Sequence, residues 1–303
     1  MPNVLLSSGS KKDPPSFAKA GGGPTSVLSR DGLIADILWG LASISCLVAI
    51  WELLWALGVV KETILPPPHI FLANLSEQAK SFGSTTAVGS ESAGPFFDVF
   101  SVMLATALRV LIGLTLGFTV SVVLGAAICY FRIFGNLVLP TVTLLAPISP
   151  LAWLPVSIFI LGVGNAPAIF MVFIAIFFMI TLATVNQIER IDVSYLNVAK
   201  IMGATKWQTY RSVVLPAILP SLFVILRLNL FGAWMVVLVA EAAGVGNGLG
   251  QVINLARNTF NFTLVFFAMT LIGVLGFVFD VLLRQVQTRV LYWVPKTLTR
   301  IAI

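Results

Sequence analysis

Charge is scarce in this sequence. Lys, Arg, Asp and Glu together make up 10% of the 303 residues, whereas a soluble domain carries roughly 25%. Hydrophobic residues make up 58% and the mean hydropathy is +1.00. Because so few charges cannot cover a water-facing surface of this size, the composition excludes a soluble globular protein. It indicates an all-α integral membrane protein.

Residues for metal, redox or nucleophilic chemistry are also scarce. The chain has one histidine and two cysteines, with no metal-ligand spacing and no nucleophile beside a base. The phosphate-binding loop Gly-x-x-x-x-Gly-Lys-Ser/Thr is also missing from the sequence. Cys46 and Cys129 lie in apolar runs and are interpreted as small buried thiols rather than a disulfide. We expect no catalytic residue, metal or cofactor in this chain.

Long apolar runs divide the sequence into three parts. Residues 1–30, rich in Ser, Gly, Pro and Lys, are interpreted as a flexible tail. Residues 31–294 form the membrane domain, and residues 295–303 form a short C-terminal tail. Because about 20 apolar residues cross a bilayer, we predict about six spans: Ile34–Val60, Val99–Tyr130, Leu137–Leu161, Ala168–Ile188, Ala217–Ala240 and Thr263–Leu283.

The third run differs from the others in its prolines. Pro140, Pro147, Pro150 and Pro155 all fall within it. Each proline removes a backbone donor and disfavours a helical residue before it. We therefore predict a kinked or broken helix, which a membrane tolerates where protein or a water-lined cavity surrounds it.

The distribution of positive charge sets an orientation. With six spans, thirteen of the eighteen Lys and Arg residues fall on one side and three on the other, while Arg109 and Arg227 lie inside spans. The positive-inside rule then places both termini and the loop 189–216 in the cytoplasm. The net charge of +6 is thereby accounted for without a nucleic-acid partner.

The loop 189–216 is predicted to be a helical hairpin. An acidic first turn favours a helix from Asp192 to Met202, Gly203 supplies the positive φ of a sharp reversal, and Thr205 caps the next helix. Trp207, Tyr210 and Val214 recur at helical spacing and indicate one apolar face. Such a hairpin could dock into a groove on another protein, or it could lie on anionic lipid as an amphipathic loop.

The same loop resembles the signature of ABC importer permeases, in which "EAA" is followed by three residues, Gly, nine residues, "I", one residue and "LP". The E and first A positions are Asn197 and Val198 here, and the I position is Val213, so the Glu is absent; Ala199, Gly203 and the final Leu215–Pro216 match. In that family the hairpin is the coupling helix seated on a cytoplasmic ATPase. The resemblance implies these coupling residues: Tyr195, Asn197, Val198, Ala199, Lys200, Met202, Gly203, Ala204 and Trp207.

Further stretches are similar to permeases of one branch of that family. "PISPLAWLP" from Pro147 resembles the nitrate and bicarbonate importers, and "GLGQVINLARN" from Gly248 resembles those for sulfonate and taurine. "GNAPAIF" from Gly164 and "VAE" from Val239 fit both. The resemblance implies a type I importer permease for a small anion, with nitrate or bicarbonate favoured and sulfonate or taurine next. The implied partners are a second copy of the chain, two ATPase subunits, and a periplasmic or lipid-anchored solute-binding protein.

Charges within spans are the first candidates for a translocation path. Arg227 could face an anion path or form a structural ion pair. Glu241 could order the loop that follows it or meet the substrate, and Arg109 is a weaker path candidate. Arg227 and Glu241 lie about 21 Å apart along one helix, so they do not pair with each other. The remaining path candidates, which could instead serve packing, are Ser149, Trp153, Asn229 and Trp234.

Two other classes of membrane protein remain as alternatives. A self-contained secondary transporter commonly has internal repeats and a midplane ion site, and neither an internal repeat of that kind nor a midplane pair of acids is evident in the sequence. A membrane enzyme would need a catalytic constellation, for which the sequence has no candidate.

The predicted orientation is tested by cysteine labelling. Single cysteines at Ser84 and Gln208 should react with a membrane-impermeant maleimide from opposite sides, because the charge distribution places one outside and the other in the cytoplasm. Labelling of both positions from outside intact cells would contradict this orientation.

Overall fold

In a computed structural model, the described residues are 30–58, 66–82, 94–244 and 246–293. These ranges are helical and contain no strand. The α-helices are α1 Arg30–Ala56, α2 Pro68–Ala73, α3 Leu75–Lys80, α4 Pro95–Tyr130, α5 Arg132–Leu145, α6 Leu154–Leu161, α7 Asn165–Glu189, α8 Val193–Ile201, α9 Lys206–Thr209, α10 Leu215–Gly244, α11 Leu249–Asn258 and α12 Phe262–Val290. The predicted tails lie mostly outside the described residues.

Four helices are long and apolar enough to cross a membrane: α4, α7, α12, and α10 together with the segment that precedes it from Lys206. A bent pair of helices can supply a fifth span. The predicted first span corresponds to α1, whose described apolar part, Ser45–Ala56, is shorter than a span. Six spans and the charge-based orientation therefore stay predictions.

The proline-rich third run is broken, as predicted. α5 and the helical segment Pro150–Leu161 meet at a bend of 98°. Pro150 begins a 3-10 turn that leads into α6, and Ser149 before it has an extended backbone. Phe131 alone separates the end of α4 from the start of α5 at Arg132.

The core is built around α7, which packs against α4 on one side and α10 on another. In α7, 56% of the residues in its most apolar 18-residue stretch are buried. In the equivalent stretch of α12, 28% of the residues are buried. Buried aliphatic side chains such as Met171, Ile176 and Leu222 fill the contacts among these three helices. The remaining helices surround this centre and expose large apolar side chains, as a chain solvated by lipid or partner subunits would.

Small residues at every fourth position allow α4 to approach α7 closely. They are Gly113, Gly117, Ser121 and Gly125. A Cβ atom at Gly113 would lie 2.5 Å from the Val172 Cβ, and one at Gly117 would lie 2.7 Å from the Ile176 Cδ1. The Ser121 hydroxyl donates to the Phe177 carbonyl at 3.0 Å. Packing through small residues is a common way for membrane helices to associate.

The two cysteines are free, as expected. The expectation that both are buried is wrong for Cys46, which lies on an exposed face of α1. The position of Cys46 in an apolar run therefore did not show that its side chain is buried in this chain.

The contact between α4 and α7 generates a stability prediction. Gly117→Leu should lower the apparent melting temperature of the detergent-solubilised protein, because forcing extra methylenes into a filled contact costs about 1–3 kcal/mol. Gly273→Leu on α12 is the matched control, since nothing lies within 4 Å of a Cβ built there. Equal melting temperatures for the two variants, measured by fluorescence-detected size exclusion, would contradict the proposed close packing.

Candidate functional site: a helical hairpin and two ion-pair clusters

The loop that follows α7 folds as a helical hairpin with capped helices. The Asp192 carboxylate accepts from the Ser194 N–H at 2.8 Å and caps α8. This bond from the backbone lowers the pKa of the Asp192 carboxyl, because it favours the ionised form. The acidic helix start inferred from the sequence is therefore present as an N-cap.

The turn of the hairpin has the geometry expected from Gly203. Its φ is +75°, and nothing lies within 4 Å of a Cβ built there. A side chain at this position would thus be disfavoured by backbone conformation rather than by crowding. After the turn, the Thr205 hydroxyl accepts from the Gln208 N–H at 3.3 Å, and the Gln208 amide oxygen accepts from the Thr205 N–H at 2.8 Å. This reciprocal capping box begins α9.

The second helix of the hairpin continues into a membrane span. α9 is followed by a π-helical segment, Tyr210–Val214, and then directly by α10. The helix from Lys206 to Gly244 is 39 residues long. A single π-helical turn is often found at functional sites within α-helices. The hairpin is therefore joined to a core helix without a flexible linker.

The tip of the hairpin presents an apolar surface. Ile201 is 85% exposed, Met202 80% and Trp207 60%, and Tyr195 and Val198 are exposed beside them. Of the three residues of the predicted apolar face, Trp207 is exposed at this tip, whereas Val214 is buried. Contiguous exposed apolar side chains of this kind mark interaction surfaces.

The remaining coupling residues of the predicted set also lie on the hairpin. Ala199 is buried and holds α8 against the chain, Ala204 is half-buried, and Asn197 and Lys200 are exposed. Ile201 was not among the predicted residues, although it is the most exposed apolar side chain of the hairpin. Ile201 lies between Ala199 and Gly203, which match the family signature, but the signature specifies no residue type at position 201.

The first ion-pair cluster joins α4 to α10. The Arg109 Nη1 donates to the Glu241 Oε1 at 2.5 Å, and the two side chains are 4% and 0% exposed. The other oxygen of Glu241 accepts from the Thr106 hydroxyl at 3.1 Å and from the Gly250 N–H at 3.0 Å. A Cβ at Gly248 would lie on the Glu241 carboxylate. Glu241 thus orders the loop after α10, which is one of its two predicted roles.

Two asparagines complete the cluster from equivalent loops. Asn165 accepts from the Arg109 Nε at 3.0 Å and from its Nη2 at 2.6 Å. Asn247 accepts through its backbone oxygen at 3.1 Å from Nη1 and through its side-chain oxygen from Nη2. Both asparagines end the same tetrapeptide, Gly-Val-Gly-Asn, which occurs at residues 162–165 and 244–247. We call Arg109, Glu241, Asn165 and Asn247 the outer clamp, after the side of the membrane on which the predicted orientation places them.

The second cluster joins α10 to α12. The Arg227 Nε donates to the Asp280 Oδ1 at 2.5 Å, and its Nη2 lies 3.4 Å from Oδ2. The Arg284 Nη2 also lies 3.0 Å from Oδ2. The structural alternative for Arg227 is therefore realised as an ion pair, and one carboxylate serves two guanidinium groups. We call Arg227, Asp280 and Arg284 the arginine cluster.

The four polar or aromatic path candidates are engaged locally in this conformation. The Asn229 amide donates to the Ile225 carbonyl at 2.8 Å, and Ser149 is exposed at the bend between α5 and α6. Trp153 packs near Phe178, and Trp234 packs edge-on against Phe279. Their place on a path stays a prediction.

Comparison with known families decides the class of this protein. The family model described as "binding-protein-dependent transport system inner membrane component" matches residues 117–292. The chain belongs to this family. The permease is 31% identical over 84% of its length to an ABC transporter permease protein of Brucella melitensis, of which the match covers 97%.

Other relatives carry substrate names. The permease is 28% identical to an aliphatic sulfonates transport permease of Bacillus subtilis, over 84% of this chain and 87% of the relative. It is also 28% identical to a nitrate import permease of Synechocystis, over 61% of this chain and 70% of the relative. The family and its ABC permease character are thus confirmed, whereas the substrates belong to the relatives.

A solved structure confirms the fold. The MetNI methionine ABC transporter in an inward-facing conformation matches with a TM-score of 0.53 and 21% identity, over 65% of the permease and 95% of the matched chain. The predicted all-helical fold of a type I importer permease is therefore correct. At this identity the likeness concerns the fold and not the substrate.

Several cluster residues were missed from the sequence. Asp280 is an acid within an apolar run and could have been selected by the rule that singled out Arg227. Arg284 was not selected because the sixth span was predicted to end at Leu283, whereas α12 continues to Val290. The repeated Gly-Val-Gly-Asn tetrapeptide was a visible signal for Asn165 and Asn247.

The outer clamp generates a stability prediction. Arg109→Met should destabilise the permease severely, because it leaves a buried carboxylate without its counter-charge, at a cost of about 3–5 kcal/mol. The double variant Arg109→Met/Glu241→Gln should recover part of the loss, since no buried charge remains. Arg257→Gln is the control, because that exposed side chain bonds only Asn254 among the contacts described for it.

Thermal unfolding in detergent measures these effects. A melting temperature of Arg109→Met equal to that of Arg257→Gln would show that the clamp contributes little to the fold.

Proposed function

We propose that the permease is the translocating subunit of an ATP-driven importer for a small anion, with nitrate or bicarbonate as the first candidates and a sulfonate or taurine next. The observation that supports this most directly is the exposed apolar hairpin tip continuous with α10. A lipid-lying loop would bury its apolar side chains in the bilayer, whereas this tip projects Ile201 and Met202 from a sharp turn. A protein groove is the better fit for such a projection.

The partner at the hairpin is an ATPase subunit, which binds the ATP and Mg. Because the hairpin continues through a π-helical turn into α10, a displacement of the ATPase surface reaches the core as movement of one helix. Such a rigid link between two packing arrangements is what alternating access needs. The coupling residues then act by contact and carry out no chemistry themselves.

The complex contains two permease copies, two ATPase subunits and an external solute-binding protein. Each chain offers one hairpin, so two ATPases require two copies. The large apolar residues left exposed on α10, including Leu228, Phe231 and Met235, provide a surface for the second copy. Both termini lie in the cytoplasm of a bacterial inner membrane, in keeping with the distribution of Lys and Arg.

The anion class is supported by two observations. Relatives along most of the chain are named for sulfonate and nitrate. The membrane helices also carry arginines, and an arginine side chain matches the geometry of oxyanions. Nitrate and bicarbonate rank first because the segment from Pro147 resembles their importers.

Gly203→Val tests the coupling role. We expect normal membrane insertion but weakened ATPase binding and loss of ATP-dependent uptake, because a β-branched residue at positive φ costs on the order of 1–3 kcal/mol and deforms the turn. Trp207→Ala should have a milder effect by removing part of the apolar surface. Gly58→Val is the matched control, since Gly58 has φ +69° and open space around its Cβ position.

The measurement is reconstitution of each variant with its partner ATPase and solute-binding protein. Co-purification, ATP turnover and uptake of nitrate, bicarbonate and taurine are followed together. Uptake by Gly203→Val at the wild-type rate would refute the coupling role, and uptake by the permease without any ATPase would favour a secondary transporter.

A further inference from the structure

The arginine cluster has one more positive charge than negative. Arg227 and Arg284 both contact Asp280, and together the three side chains carry a net charge of +1. The side chains of Arg227 and Asp280 are 24% and 12% exposed, and that of Arg284 is 46% exposed. The outer clamp, in contrast, pairs one arginine with one glutamate. A purely structural ion pair between α10 and α12 would need only one of the two arginines.

The position of the cluster relates it to the hairpin. Arg227 lies twelve residues after Leu215, the first residue of α10, and therefore about 18 Å along that helix. Asp280 and Arg284 lie in the second half of α12. The cluster is thus on the hairpin side of the membrane domain, and one of its members is on the helix that continues from the hairpin.

The bonding pattern leaves donors available. The contacts to Asp280 use Nε and Nη2 of Arg227 and Nη2 of Arg284. Among the described residues, these are the contacts found for the two guanidinium groups, so Nη1 of each is free to donate. A planar oxyanion such as nitrate or bicarbonate, or a tetrahedral sulfonate, accepts from such donors at two oxygens.

An unbalanced charge in a span is costly, and an anion reduces the cost. In the low dielectric of a membrane domain, an excess cation attracts any anion that can reach it. Rings of arginine and lysine side chains select anions in membrane pores for the same reason. The partial exposure of Arg284 gives access to the cluster without opening the core.

We propose that Arg227 and Arg284, held together by Asp280, bind the transported oxyanion on the hairpin side of the membrane before its release. This inference rests on the proposed anion import. Because α10 continues into the hairpin, displacement of the hairpin shifts Arg227 relative to α12 and changes the affinity of the site. Asp280 positions both arginines and limits the charge of the site, so that the anion can leave.

Arg284→Gln is the decisive variant because it removes the excess charge and keeps the Arg227–Asp280 pair. We expect normal assembly with a KM for oxyanion uptake raised about tenfold or more, since a charge-assisted hydrogen bond is lost. Arg284→Lys should recover part of the affinity. Arg289→Gln, an exposed position further along α12, is the matched control and should keep the wild-type KM.

Asp280→Asn tests the opposite change. It raises the net charge of the site to +2, so we expect a lower KM together with a lower maximal rate, because the anion leaves more slowly. A structural role for Asp280 predicts a lower melting temperature and no decrease in KM. Arg227→Gln, which leaves Asp280 paired with Arg284, should raise KM as Arg284→Gln does.

The uptake assay uses proteoliposomes with nitrate, bicarbonate and taurine at varied concentration. If the wild-type complex imports an oxyanion but Arg284→Gln and Arg227→Gln keep the wild-type KM, the proposed binding site is wrong. The proposed anion import then still stands. Failure of both variants to assemble assigns the cluster to stability and also overturns the binding site. If the wild-type complex imports none of these solutes, the proposed anion import is wrong, and so is the binding site that rests on it.

Discussion

The fold depends on the buried ion pair between Arg109 and Glu241. Two charges that are almost fully removed from solvent are tolerated because each has several hydrogen-bond partners in addition to the other. Removing either charge would leave the other unpaired in a medium that cannot solvate it. The pair therefore requires α4, the start of α7, the end of α10 and the start of α11 to meet at one place. Two segments of identical sequence, Gly-Val-Gly-Asn, supply the asparagines that accept hydrogen bonds from Arg109.

This constraint gives α10 two different ends. One end holds Glu241 and is fixed by the clamp, while the other continues through a π-helical turn into the hairpin. A helix fixed at one end and displaced at the other pivots, and the displacement is largest near the hairpin. Arg227 lies between the ends and meets α12 through Asp280. The close contact of α4 with α7, made possible by small residues, keeps the rest of the core in place during such a movement.

The sequence predicted the elements more reliably than the contacts between them. Apolar run length located the helices of four spans, and prolines located the break before α6, because these signals are local. The hairpin turn at Gly203 and the cap at Thr205 follow from equally local chemistry. The partner of Arg227 lies 53 residues away on α12, and no periodicity of α10 specifies which acid it meets.

The two clusters differ in how their positive charges are paired. In the outer clamp the guanidinium of Arg109 is saturated by acceptors from this chain, and its charge is matched by one carboxylate. In the arginine cluster two guanidinium groups share one carboxylate and remain partly exposed. Charged groups in both clusters lose solvation in a membrane domain. Only in the outer clamp is the positive charge matched by an equal negative charge of the same chain. The imbalance in the arginine cluster can be offset by an anion that arrives and departs, and α10 connects that cluster to the hairpin where an ATPase would act.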